Sequence, residues 1–111
     1  MRFYRAVSEA ELEDIRAFGG FRREPGGHSL ESKQFAVSLH GAAEFGRGNF
    51  ELDGKPFCVV EVKVEEADVE SFERLRLDGK PAMNVSREGL GVFNAIIRNV
   101  REVSALPLRR S

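Results

Sequence analysis

One cysteine, one tyrosine, two histidines and no tryptophan in 111 residues leave several kinds of chemistry short of material. Cys58 alone cannot close an intramolecular disulfide. Its place in an apolar run predicts a buried thiol, which fits a reducing compartment. Neither His28 nor His40 has Cys or His neighbours at metal-ligand spacing, so no metal site is expected. No apolar run approaches the ~20 residues that a membrane-spanning helix needs. The start, Met1-Arg2-Phe3-Tyr4-Arg5, lacks the long apolar core of a signal peptide. These absences predict a soluble chain with no export signal of its own and no membrane contact. An excess of charge of one sign is missing too: 17 Lys and Arg face 18 Asp and Glu, for a net charge of -1. No overall basic field argues for nucleic acid, and the arginine clusters at Arg22-Arg23, Arg98 to Arg101 and Arg109-Arg110 read as solvated surface.

What is present suffices for one core. Hydrophobic residues make up 41% of the chain and include nine Phe, and the length suits a single domain. Phe3 to Val7 reads as a strand with Phe3, Arg5 and Val7 on one face and Tyr4 and Ala6 on the other. An arginine between two apolar residues on one strand face either reaches water at an exposed strand end or lines a cleft and pairs with an anion. Ser8-Glu9-Ala10-Glu11 is a capping box, with Val7 and Leu12 as its hydrophobic staple. Leu12, Ile15 and Phe18 keep helical spacing until Gly19-Gly20 ends the helix.

Phe21 to Leu30, with Pro25, Gly26 and Gly27, predicts a loop that can wrap a ligand. It leads through Ser29 and Ser32 into a short strand beginning at Lys33, with Phe35 and Val37 on one face and Gln34 and Ala36 on the other. Ser38 is placed to cap the next helix, and Gly46-Arg47-Gly48-Asn49 is expected to break the chain. Asp53-Gly54 marks a tight turn. Phe57 to Val64 is the strongest strand, apolar on both faces at first and then alternating, as a central strand emerging to solvent would be. Glu65 to Asp68 opens a short helix through Phe72, and Leu75 to Pro81 is turn-like. Ser86 caps a short helix over Arg87 to Asn94, which Gly89 and Gly91 weaken. Ile96 to Val103 closes as a strand. This order predicts an α+β domain built on a mostly antiparallel sheet.

Phe3-Tyr4-Arg5-Ala6-Val7-Ser8, the capped helix ending in glycine, and Glu31-Ser32-Lys33-Gln34-Phe35-Ala36 leading into Ala42-Ala43-Glu44-Phe45-Gly46 together resemble the start of an ADP-ribosyltransferase-like domain. The small members found among bacterial polymorphic toxins are the most similar. The resemblance covers most of residues 3 to 47 and the remainder loosely. It implies a split sheet with short flanking helices, NAD as substrate, and transfer of ADP-ribose to a protein or nucleic-acid acceptor. In that superfamily an early strand carries an Arg or His that binds NAD, and Arg5 matches it, with a rigid fork suited to a diphosphate or ribose. Phe35-Ala36 matches the Phe-Ala of the second motif. Gln34 falls where the stacking aromatic commonly sits, so either Phe35 or Tyr4 supplies the aromatic wall, or nicotinamide is held another way. Ser29 and Ser32 are placed for polar contacts to a ribose, and Arg22 or Arg23 can assist the clamp. A late glutamate stabilises the developing oxocarbenium ion; Glu88 is the first candidate and Glu102 the second. No Glu-x-Glu or Gln-x-Glu pair occurs there, and Glu88 also reads as an N-terminal helix residue favoured by the dipole.

The resemblance further implies a toxin that acts in the cytoplasm or is delivered into a target cell within a larger effector, partnered by an immunity protein or antitoxin. Two other readings use the same residues. One is a metal-independent ribonuclease toxin with His28, Arg5 and Lys33 as acid, base and phosphate clamp. The other is a non-enzymatic module that holds a nucleotide or a partner in the sheet cleft. Arg5→Ala is expected to remove NAD binding and leave the fold intact, since an arginine at a cleft edge adds little to a core.

Overall fold

The structure, a computed structural model, describes residues 1–21, 33–50, 54–77 and 79–104. The chain runs β1 (Arg2–Ser8), α1 (Glu9–Phe18), β2 (Lys33–Ala36), α2 (Leu39–Phe50), β3 (Phe57–Lys63), β4 (Glu73–Leu77), β5 (Lys80–Val85), α3 (Leu90–Ile96) and β6 (Asn99–Ser104). The strands make one six-stranded sheet in the order β4-β5-β2-β1-β3-β6. Every neighbouring pair is antiparallel. With three helices, this is a small α+β domain whose radius of gyration of 13.2 Å is that of a compact fold.

The strands are not joined equally. β1 and β3 pair over seven consecutive positions, from Arg2 opposite Lys63 to Ser8 opposite Phe57. Among the described residues, β1 and β2 meet in register only at Tyr4 and Ala36. A seam therefore runs down the sheet between a β4-β5-β2 ladder and a β1-β3-β6 ladder.

Strand alternation sorts the side chains into two layers. Phe3, Val7, Phe35, Val60 and Met83 face one side and form the main core with Ile15 of α1 and Phe93 of α3. The Phe35 ring lies 5.0 Å from that of Phe21 and 4.9 Å from that of Phe93, centroid to centroid. Each such fully buried ring contributes roughly 1.5–3 kcal/mol. The opposite side carries Ala6, Ala36 and Val59, small enough for α2 to lie close through Ala42, with Phe57 at its far end.

The helix signals act as the sequence predicts at α1 and α2. Ser8 Oγ accepts from the Glu11 amide at 3.1 Å, and Gly19 takes the left-handed φ of 86° that lets its amide return to the Ile15 carbonyl. Ser38 Oγ accepts from the Gly41 amide at 2.9 Å. Phe18, in helical register with the core positions, nevertheless stays 51% exposed at the end of α1.

Other expectations are corrected. Gly46 and Gly48 do not break the chain, because α2 continues through both to Phe50. Gly46 is a close-approach residue: a Cβ there would overlap the Phe57 ring. The turn-like reading of Leu75 to Pro81 conceals a hairpin, with Leu77 opposite Lys80 and Arg76 opposite Pro81. Pro81 is the second residue of β5, level with Val37 just past the end of β2, and its carbonyl accepts from the Val37 amide at 3.3 Å. A 3-10 turn over Glu66–Val69 replaces a helix reaching Phe72, another over Arg87–Gly89 precedes α3, and Ile96 belongs to α3 while the last strand begins at Asn99. Among the described residues, no helix is long and apolar enough to cross a membrane.

Candidate functional site

Arg5 stands on β1 where the pairing with β2 gives out. Its position between Phe3 and Val7 aims the side chain toward α1, over the Phe35 ring at 5.8 Å. Nε donates to Glu11 Oε2 at 2.8 Å and Nη2 to Glu11 Oε1 at 3.1 Å, while Nη1 donates to the Gln34 carbonyl at 3.1 Å. The guanidinium thus spans the seam, bonded to a helix on one edge and to the β2 backbone on the other. Lys33, on the same face of β2, sends Nζ to Glu11 Oε2 at 3.4 Å. Two cations from the two ladders share one carboxylate.

All three side chains are shielded: Arg5 is 15% exposed, Glu11 18% and Lys33 4%. Burial by itself would raise the Glu11 pKa. The charge and hydrogen bonds of Arg5, then those of Lys33, outweigh it and hold the carboxyl below its ordinary value. Arg5 is therefore a structural member of a partly buried ion cluster, and the expectation that its removal leaves the fold untouched does not suit this geometry.

The sequence-predicted residues divide between the two faces. Arg5 and Phe35 point toward α1, and Phe35 is fully buried among rings, so it offers no surface for nicotinamide to stack on. Tyr4 and Gln34 point toward the α2 side. Gln34 Nε2 donates to Asn84 Oδ1 at 2.7 Å, and Asn84 Nδ2 donates to Glu73 Oε1 at 3.2 Å, a polar chain across β2, β5 and β4. Glu88 lies on the 3-10 turn that follows β5. Since Val85 is opposite Lys33, that turn leaves the sheet at the Lys33 end. Glu102 of β6 binds Arg16 of α1 at 2.9 Å, away from the seam. Ser29, Ser32, His28, Arg22 and Arg23 lie outside the described residues.

Two acidic residues escaped the sequence reading. Glu11 is legible there only as a cap partner; its amide does bind Ser8, but its carboxylate turns to Arg5 and Lys33. Glu61 sits in the apolar run of β3 with its side chain 10% exposed. It accepts from Tyr4 Oη at 3.2 Å and Arg101 Nε at 3.0 Å, with Arg2 Nε at 3.6 Å. Burial acts to raise its pKa, and the hydrogen bonds and charges of these partners lower it overall. A carboxylate inside the most apolar strand was the available signal for it. No group of three or more His, Cys, Asp or Glu able to hold a metal ion occurs among the described residues.

The arrangement holds one internal carboxylate, Glu11, between cations of the two ladders, while Tyr4 lies on the other side of the sheet, bonded to Glu61. No family model, no curated protein and no solved structure matches the chain.

Proposed function

We propose that this chain is an NAD-dependent ADP-ribosyltransferase domain, a bacterial toxin that modifies a macromolecular acceptor. The observation that carries the reading is the position of Arg5, an early-strand arginine seated where β1 and β2 part. It coincides with the Arg that the sequence resemblance assigns to NAD, and the near-unpaired seam is compatible with the split sheet that the resemblance implies. The planar fork that now grips Glu11 in two bonds is the geometry that grips a phosphate.

In this reading Arg5 holds the NAD diphosphate; Phe35 is fully buried and Tyr4 leaves the opposite face of the sheet, so nicotinamide is held by another group. Glu88 supplies the anion, from the turn that the register brings to the Lys33 end of β2. The nicotinamide–ribose C–N bond breaks with its electron pair leaving on nicotinamide. The acceptor's nucleophile bonds to the anomeric carbon and gives up its proton. A carboxylate near the sugar stabilises the positive charge that builds there, an effect of several kcal/mol in other sites of this kind.

The test is release of nicotinamide from labelled NAD by the intact chain, with labelled RNA as the parallel substrate. Expected are NAD turnover, a KM for NAD raised about tenfold or more in Arg5→Lys, which is ~1.4 kcal/mol, and retained binding with turnover reduced by about a hundredfold or more in Glu88→Gln. RNA cleavage without NAD turnover overturns the reading. Full turnover in Glu88→Gln moves the carboxylate role elsewhere, with Glu102 next.

A further inference from the structure

Lys33 is the most deeply shielded cation of the seam cluster, with 4% of its side chain exposed. An ammonium has three N–H donors. Among the described residues its Nζ has one acceptor, Glu11 Oε2, at the long distance of 3.4 Å. That oxygen already receives the shorter Arg5 Nε bond of 2.8 Å. Glu11 is thus spent mainly on Arg5, and among the described residues the cluster pairs two positive charges with one negative. A shielded charge without a full partner is costly in a folded protein, and a site that keeps one is poised to receive the counter-charge from outside.

The surroundings narrow what that counter-charge is. The donors converge from both ladders, Arg5 from β1 and Lys33 from β2, beside the seam where the described residues of β1 and β2 share a single registered pair. The guanidinium already makes two parallel bonds to a carboxylate, so a group with several oxygens on one centre can bridge the fork and the ammonium together.

From this we infer that Lys33, with Arg5, forms an oxyanion site for a phosphoryl group of the ligand, Glu11 being the internal carboxylate that bridges the two cations until the site is occupied. This rests on the NAD reading for the identity of the ligand and on the charge balance alone for the site. Lys33 contributes to binding the phosphoryl group and takes no part in breaking the glycosidic bond.

Calorimetric titration of the intact chain with inorganic pyrophosphate, and separately with acetate, tests the site. Expected is pyrophosphate binding by the wild type that falls at least tenfold in Lys33→Met, while acetate binds weakly or not at all. In the absence of ligand, Lys33→Met should melt at the same temperature or higher, since methionine keeps the apolar stem and removes the underpaired charge. Lys33→Gln provides a second variant should methionine disturb folding. Equal pyrophosphate affinity in folded Lys33 variants, or no binding by the wild type, overturns the inference; acetate binding as tight as pyrophosphate overturns the phosphoryl assignment. Pyrophosphate binding that depends on Lys33, without NAD turnover, leaves this site standing and removes the transferase reading. NAD turnover with an unchanged KM in Lys33→Met does the reverse.

Discussion

Arg5 and Glu11 meet in a two-point ion pair, Nε to Oε2 at 2.8 Å and Nη2 to Oε1 at 3.1 Å, that ties β1 to α1 beside the seam. The pair is shielded enough to matter and exposed enough to be less than a fully buried bridge. Arg5→Ala leaves Glu11 with the long Lys33 contact alone and strips the Gln34 carbonyl of a donor. Loss of charged hydrogen bonds of this kind costs about 2 kcal/mol. A fall in melting temperature of roughly 10 °C is expected for a domain this size, and an unchanged melting curve would refute the structural role.

Acid should weaken the same cluster. Glu11 and Glu61 both have folded-state pKa values below the ordinary 4.5. The unfolded chain therefore takes up protons first as pH drops, and the stability these groups contribute is present above about 4.5 and lost as pH falls through their lower folded values. Urea unfolding across this window should show stability rising with pH. In Glu11→Gln the slope should be shallower, and an identical slope would mean that Glu11 is not held in its charged form by its neighbours.

Tyr4 offers a direct reading of the other side of the sheet because it is the single tyrosine. Burial, then the hydrogen bond and negative charge of Glu61, raise its phenol above the ordinary value of 10.0. Ultraviolet titration of the folded protein should place the midpoint above 10.0, returning to the ordinary value in denaturant. In Glu61→Gln part of the rise should go and the part due to burial remain. The sign for stability is the reverse of the acid case: the unfolded phenol loses its proton first, so this contribution fades as pH climbs above 10.0.

Gly46 and Gly48 lie on one helix and should respond oppositely to alanine. At Gly48 a Cβ meets nothing within 4 Å, so Gly48→Ala gains helix propensity and should stabilise by about 0.5–1 kcal/mol. At Gly46 the same methyl collides with the Phe57 ring, which is fully buried and stacked on Phe50 at 5.7 Å. Overpacking of about 1–3 kcal/mol exceeds the propensity gain, so Gly46→Ala should be net destabilising. Equal thermal shifts in the two variants would contradict the close approach of α2 to β3.

The opposite fates of these glycines mark where sequence reasoning stops. Capping at Ser8 and Ser38, the helix end at Gly19 and the apolar run of β3 are local signals, and each was legible. Gly46 reads as a breaker because the ring it accommodates is eleven positions away, and proximity of that kind leaves no periodic trace. The β4–β5 hairpin was hidden by Pro81 and by charged residues that an edge strand displays to solvent. At the site, alternation placed Arg5 and Tyr4 on opposite faces from the start, yet the partners that define each face, Glu11 and Glu61, come from other elements. Glu11 looked complete as a cap residue, and only the fold reveals that its carboxylate is engaged elsewhere.

The single registered pair between β1 and β2 also sets where the native sheet yields first. Separation along that line gives up the Tyr4–Ala36 pairing, the Arg5 bond to Gln34 and the long Lys33–Glu11 contact, whereas any other division breaks at least four registered pairs. Each ladder keeps its own hydrogen-bonded interior when the line opens. In native-state hydrogen exchange, the amides of β1 and β2 that face the seam should belong to the low-energy openings, and those inside each ladder should follow global unfolding. The earliest unfolding event would then use this gap, which the Lys33 contact to Glu11 spans from above.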